Sequence, residues 1–329
     1  MHLCSFTIHQ ARAIMLYNLN RQSWVKEITN FRTLLLNEQT EIVDSITTTY
    51  KCRCEYFIFK RKDKTIMSFI AFVNGTKIFQ PIHFFYAAFW VDDDLSDRVY
   101  TDSLYELIGE LKKKYTDINL TLPIEIKDIR PFLWHGFEVN NRFTYLKNTN
   151  ETQYGKYMER KLAKGQDLKL RFAEEKMNNK SLSLNLQLLS DLKFRKSKIA
   201  DIGRLLTLLS DTKYLFCFNT YENDKLILSD IVFKDEENKK VYEVLKNKVA
   251  GSDNIPSISY HQLFEFYANA GYNWVDLMGA DMPSISKFKA GFNPLLTTHF
   301  LVKYNWTNDL KNKLKLRITE MIRSLIKKF

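Results

Sequence analysis

The chain repeats itself. Gly136-Phe137 closes the stretch "IRPFLWHGFE" and Gly291-Phe292 closes "SISKFKAGFN", 155 residues further on. Self-similarity at a fixed offset restricts the fold more than local propensity does, because each copy must be a unit of the same kind. Ahead of the first Gly-Phe lie three β-rich runs within residues 55–90, then "YTDSLYELIGELKKKY" at 100–115, then "DINLTLP". In the second of these, Leu104, Leu107, Ile108 and Leu111 fall at i, i+3, i+4 and i+7, one face of a helix. A short helix within "IKDIRPFLWHGF" and a strand "NRFTYLKN" complete the unit.

The second copy has the same order. "KYLFCFNTY", "KLILSDIVF" and "KKVYEVLKNKV" read as strands, and "SISYHQLFEFYANAG" as a helix stopped by Gly271. "NWVDLMG" is a strand, "MPSISKFKAGF" a short helix with Pro in its first turn, and "LLTTHFLVKYN" a strand. Two further helices are expected in 179–210. The predicted fold is therefore α+β: two tandem units, each a mixed twisted sheet flanked by helices, over 1–155 and 156–306, with a basic amphipathic helix over 307–329.

Charge and cysteine content narrow the function classes. The formal net charge of +11 fits an anionic partner such as a nucleotide, tRNA or phospholipid, and equally fits base bias in a Lys- and Asn-rich chain. Four cysteines are too few for a disulfide framework, and the Cys52–Cys54 pair lacks the second pair that zinc needs, so no metal is expected. The longest apolar run, "FFYAAFWV", is far short of a membrane span, and the N-terminus has no signal-peptide pattern. These features point to a cytoplasmic protein.

Three strands, a helix, a strand, a short helix and a last strand is the order of the GCN5-related acetyltransferase (GNAT) fold. Two such units, with Asp276, Gly279, Phe288, Lys289, Gly291 and Phe292 near the end, resemble the FemABX peptidyl and aminoacyl transferases and their BioF2-like acetyltransferase relatives. "DIRPFLWHGFEVNNRFTYL" at 128–146 is similar to the ending of that family's first domain. The chain departs from the pattern at Ala280, where the family has a second Gly, and at Asn293, a residue that also accepts left-handed backbone. There is little room for the long helical arm of the members that use aminoacyl-tRNA. The resemblance implies an acyltransferase with acyl-CoA, or aminoacyl-tRNA, as co-substrate and an amine acceptor, which a cell-wall or lipid-linked precursor could supply.

Local charge separates the two halves. In the first, the central helix is preceded by Asp92, Asp93, Asp94 and Asp97, which repel phosphate. In the second, Lys246, Lys248, Gly251 and Ser252 precede a helix start, which suits an anion. Donor binding is accordingly expected there, with Phe288. The Arg/Gln-x-x-Gly-x-Gly/Ala signature for coenzyme A is absent from both halves. Lys289 is the expected stabiliser of a developing oxyanion, a role the resemblance also implies, against the plainer reading of a lysine lying over apolar surface. Asp276 is expected to orient the amine or take its proton, or else to cap a strand end. Among Tyr86, Trp90, Arg130, Trp134 and Arg142, the two expected at an acceptor site are Tyr86 and Arg130.

The tail places Leu310, Leu314, Ile318, Met321, Ile322, Leu325 and Phe329 on one helical face, with a basic opposite face. It either packs on the domain or docks on an anionic membrane. Two other function classes remain open to the sequence. One is a tRNA- or RNA-binding module, suggested by charge and aromatic content but lacking a recognition motif. The other is a non-catalytic scaffold, suggested by the missing coenzyme A signature.

Overall fold

The computed structural model describes residues 14–81, 85–165, 168–251, 254–311 and 318–319. The first half runs β1 (Ile14–Leu19), α1 (Arg21–Thr29), α2 (Thr40–Tyr50), β2 (Arg53–Arg61), β3 (Lys64–Asn74), β4 (Lys77–Ile78), β5 (Ala88–Val91), α3 (Asp97–Lys114), β6 (Asp117–Thr121), α4 (Arg130–Trp134) and β7 (Glu138–Asn148). The second runs α5 (Lys156–Ala163), β8 (Leu170–Glu175), α6 (Asn179–Asp191), α7 (Lys196–Leu209), β9 (Leu215–Glu222), β10 (Lys225–Asp235), β11 (Lys240–Lys248), α8 (Ile255–Asn269), β12 (Trp274–Asp276), α9 (Pro283–Ala290) and β13 (Leu295–Asn305). The mixed α+β class and the repeated element order expected from the sequence are both present. The first copy departs at one place: its third meander strand is split into β4 and β5, which pair with β3 at separate places.

The strands join into one sheet in the order β1-β2-β3-β4-β6-β13-β7-β12-β11-β10-β9-β8, with β5 on β3. The last strands are exchanged between halves. β13 lies between β6 and β7 of the first half, antiparallel to both. β7 in turn pairs with β12 of the second half. Each half completes the other's sheet, so neither has a free central edge there.

Helices cover both faces. On one face α1 and α2 of the first half and α6 and α7 of the second share a core around Trp24, Ile42, Ile46, Leu189, Leu206 and Leu209. On the other face α3 packs on Leu104, Leu107, Ile108 and Leu111, the stripe read from the sequence, against Phe69, Phe89 and Val302. There too α8 and α9 pack around Tyr260, Leu263, Phe264, Tyr267 and Phe292.

The two Gly-Phe corners are built differently. Gly136 is left-handed, at φ +75°, whereas Gly291 is helical and the left-handed step falls on Asn293, at φ +51°. Gly291 is set by close packing: a Cβ there would stand 2.9 Å from Met158 Cε and 3.2 Å from the Phe288 carbonyl oxygen. Phe137 and Phe292 are both buried. The basic tail at 307–329 lies mostly outside the described residues. Residues 306–311 are helical, and Asp309 accepts from Tyr304 Oη at 3.3 Å. Among the described residues no helix is long and apolar enough to cross a membrane.

Candidate functional site

The sheet parts between β11 and β12. The two strands pair in parallel only over Lys240–Tyr242 and Trp274–Asp276, while β11 continues to Lys248. A bulge follows at once: Leu245 opposes Ile231 and Glu243 opposes Val232, leaving Val244 as the extra residue. Bulges bend a strand and end its pairing on one side. The resulting gap holds a cavity of about 420 Å³, with Glu243, Lys246, Met278, Gly279, Phe288 and Lys289 among its lining residues.

Beyond β12 the backbone takes two left-handed steps, Met278 at φ +48° and Gly279 at φ +52°. The first is costly for a residue with a Cβ and needs outside support. Two side chains supply it. Asp276 Oδ1 accepts from the Met278 amide at 3.1 Å, and Lys289 Nζ donates to the Met278 carbonyl at 2.7 Å and also to the Leu277 carbonyl.

Lys289 is buried, and its Nζ lies 3.7 Å from Glu243 Oε2. Tyr260 donates to both oxygens of Glu243, at 2.7 and 2.6 Å. Lys246 Nζ stands 3.3 Å from the centre of the Tyr260 ring and 3.0 Å from Asp230 Oδ2, which Ser259 also reaches. Glu243, Lys246 and Lys289 thus line the inner wall, and Asp230, outside the lining, pairs with Lys246, so the four together carry no net formal charge. Burial lowers the pKa of Lys289 and pushes the Asp230 carboxyl up to about 7 against the pull of Lys246.

Asp276 is fully buried on the opposite face of the sheet. Its carboxylate accepts from Thr144 Oγ1 at 2.5 Å and from Tyr86 Oη at 3.0 Å, and Lys240 Nζ is 3.5 Å away. His299 on β13 is buried beside Tyr86, their rings 5.3 Å apart, and its Nδ1 has no hydrogen-bond partner among the described residues. Burial lowers the His299 pKa, which favours the neutral imidazole.

The residues singled out in the sequence fall into three groups. Lys289, Lys246 and Phe288 line the one cavity, and Asp276 lies against it through Leu277 and Met278. Tyr86 meets Asp276 directly. Lys248 and Gly251 lie at the end of β11 and in the loop after it, outside the cavity lining, and Ser252 lies outside the described residues. Arg130 is apart from all of these, exposed and paired with Asp97 at 2.7 Å and Asp128 at 2.6 Å. Sequence reasoning missed Glu243, Asp230, Tyr260 and His299. One signal was available: "KVYEVLKNK" places Glu243 and Lys246 in a strand lying mid-sheet, where unpaired charge is costly. Among the described residues no three His, Cys, Asp or Glu side chains are placed to hold a metal ion.

No family model and no curated protein matches the sequence. Solved structures do resemble the fold. FemX matches with a TM-score of 0.60 at 9% identity, over 91% of this chain and 99% of that one. The C-terminal domain of a putative lysylphosphatidylglycerol synthetase from Agrobacterium fabrum matches with a TM-score of 0.54 at 12% identity, over 88% and 94%. A tandem GNAT protein from the clavulanic acid biosynthesis pathway matches with a TM-score of 0.52 at 8% identity, over 88% and 97%. At these identities the likeness is one of fold, and the chain has the GNAT-type α+β fold shared by FemX and tandem GNAT proteins.

Proposed function

We propose that this protein is an N-acyltransferase whose donor site is the cavity between β11 and α9. The observation that carries the reading is the placement of Lys289. Its ammonium is held by the Leu277 and Met278 carbonyls at the inner end of a gap in the sheet, in the lining of the cavity. An amine attacks the donor carbonyl, the C–N bond forms, and negative charge develops on oxygen beside Lys289. The C–S bond of a thioester then breaks, and the departing thiolate takes up a proton equivalent to the one the amine loses.

The lining favours an acyl group over an aminoacyl group. Leu188, Leu192, Val244, Met282 and Ile285 face the cavity, and its charged residues neutralise one another, so a free ammonium on the transferred group would find no unpaired carboxylate. Lys246 belongs to that neutral wall. In this reading the donor's anionic portion lies further out, toward Lys248, Gly251 and the start of α8, where helix N–H groups favour anions. Asp276 acts as a positioning residue, since hydrogen bonds and Lys240 occupy its oxygens. Lys289→Met tests the reading. Thiol release from acyl-CoA in the presence of amines is expected to fall roughly 10²–10³-fold, the usual cost of losing one oxyanion donor, with the far-ultraviolet spectrum unchanged. Unchanged turnover would remove Lys289 from the chemistry.

A further inference from the structure

The polar side chains that line the cavity beside Lys289 touch one another. Tyr260 donates to Glu243, Lys289 lies 3.7 Å from Glu243, and Lys246 stands 3.3 Å from the centre of the Tyr260 ring. These four form one group, and the rest of the lining is Leu, Val, Met, Ile and Phe, with Gly279. Away from the polar group the walls come from two helices: Leu188, Leu189 and Leu192 from α6 and its C-cap, and Met282, Ile285 and Phe288 from α9 and its N-cap.

Met282, Ile285 and Lys289 fall at i, i+3 and i+7, so they share one face of α9. At about 1.5 Å per residue, Ile285 lies ~6 Å and Met282 ~10 Å from Lys289 along the helix axis. Exposure grades along this face: Lys289 is 8% exposed, Ile285 36% and Met282 47%. Leu192, at the end of α6, is 46% exposed. The cavity thus runs from a buried polar end at Lys289 to an apolar lip in solvent. Large apolar side chains exposed together at the mouth of an apolar cavity mark a surface that a ligand covers.

An acetyl group at Lys289 leaves that face of α9 bare. An extended alkyl chain advances about 1.25 Å per carbon, the projection of ~1.5 Å bonds at tetrahedral angles, so about eight carbons span the distance from Lys289 to Met282. Resting on the acyl-transfer reading above, we infer that the transferred group is a medium-chain fatty acyl group of about eight carbons, whose length is measured along α9. The thioester carbonyl lies at Lys289, and the chain runs past Ile285 to the lip at Met282 and Leu192. Transfer joins the acyl carbon to the amine nitrogen, breaks the C–S bond and moves the amine's proton to the thiolate, so the products are a fatty amide and a free thiol.

A ladder of chain lengths tests the inference. Coenzyme A and its acetyl, butyryl, hexanoyl, octanoyl, decanoyl and lauroyl thioesters, each below its micelle concentration, are titrated by calorimetry. Affinity is expected to climb from butyryl to octanoyl by up to about fourfold per methylene, the worth of burying one CH₂, and to flatten once the chain passes the lip. Ile285→Trp fills the path one turn from Lys289, so the plateau should move back to butyryl or hexanoyl. Where the urea midpoint shows that the tryptophan unsettles the fold, Met282→Ala serves instead: it removes the lip and should erase the gain from hexanoyl to octanoyl. A wild-type gain that stops at butyryl, with acetyl-CoA still bound more tightly than coenzyme A, would overturn the inference and leave the acyl-transfer reading standing. A climb unbroken through lauroyl, a plateau that neither variant moves, or no binding of any thioester would also overturn it. If the ladder behaves as expected but Lys289→Met leaves thiol release from octanoyl-CoA unchanged, the acyl-transfer reading fails and the chain site stands.

Discussion

The hydroxyl of Tyr86 donates to Asp276 at 3.0 Å, joining residues 190 positions apart and one half of the chain to the other. The bond is buried, and it ties Tyr86 to the residue at which the pairing of β11 with β12 ends. Tyr86→Phe leaves the buried Asp276 carboxylate short of one donor. The expected loss of stability is about 1–3 kcal/mol, the cost of an unsatisfied buried polar group, read from the urea midpoint. A shift below 0.5 kcal/mol, well under that range, would mean the contact is dispensable.

The exchange of β7 and β13 makes a second expectation. A fragment ending near residue 155 leaves β6 and β7 without the strand that lies between them, and a fragment beginning there lacks β7 as the neighbour of β12. Neither fragment should show a cooperative thermal transition alone, and mixing the two should restore one. A sharp transition in either isolated half would show that the halves fold independently, in keeping with the two units the sequence repeat suggests.

His299 gives a dependence on pH. Its folded-state pKa lies below the ordinary 6.5 because burial disfavours the imidazolium. The unfolded chain therefore binds more protons as pH falls below 6.5, so the contribution of His299 to stability is present above that value and is lost toward its folded pKa. Wild type should lose stability relative to His299→Gln between pH 7 and pH 5, as measured by paired denaturant titrations. Parallel curves for the two proteins would exclude this role.

Gly291→Ala tests the packing of the Lys289 helix against α5. The added methyl meets the Met158 side chain and the Phe288 carbonyl oxygen. Overpacking of this kind costs about 1–3 kcal/mol, and a smaller second change, Met158→Ala, should recover part of it by opening space. Additive losses in the double variant would show that the two residues do not press on one another.

Much of the fold was legible because it was written twice. The stripe Leu104, Leu107, Ile108 and Leu111, the stop at Gly271 and the two Gly-Phe corners each gave the same element at the same offset. The strand exchange was not legible, because β7 and β13 have similar length and pattern and either could pair beside β6 on hydrophobicity alone. Lys289 and Asp276 were singled out by motif position. Their partners were not: Glu243, Asp230 and His299 act through distances set only when β11 bulges and β13 crosses into the other half. Arg130 shows the converse, a conspicuous residue in the sequence whose charge is taken up locally by Asp97 and Asp128.

The central claim, that the gap beside Lys289 receives the acyl group of the donor, is tested most directly by calorimetric titration with octanoyl-CoA, acetyl-CoA and coenzyme A. The same series is run on Ile285→Arg, which places a charge at a partly exposed position of the cavity lining. Wild type should bind the octanoyl thioester more tightly than acetyl-CoA or free coenzyme A, and the variant should lose that difference. Equal affinity for all three ligands, or octanoyl binding unaffected by Ile285→Arg, would contradict the assignment of the donor site.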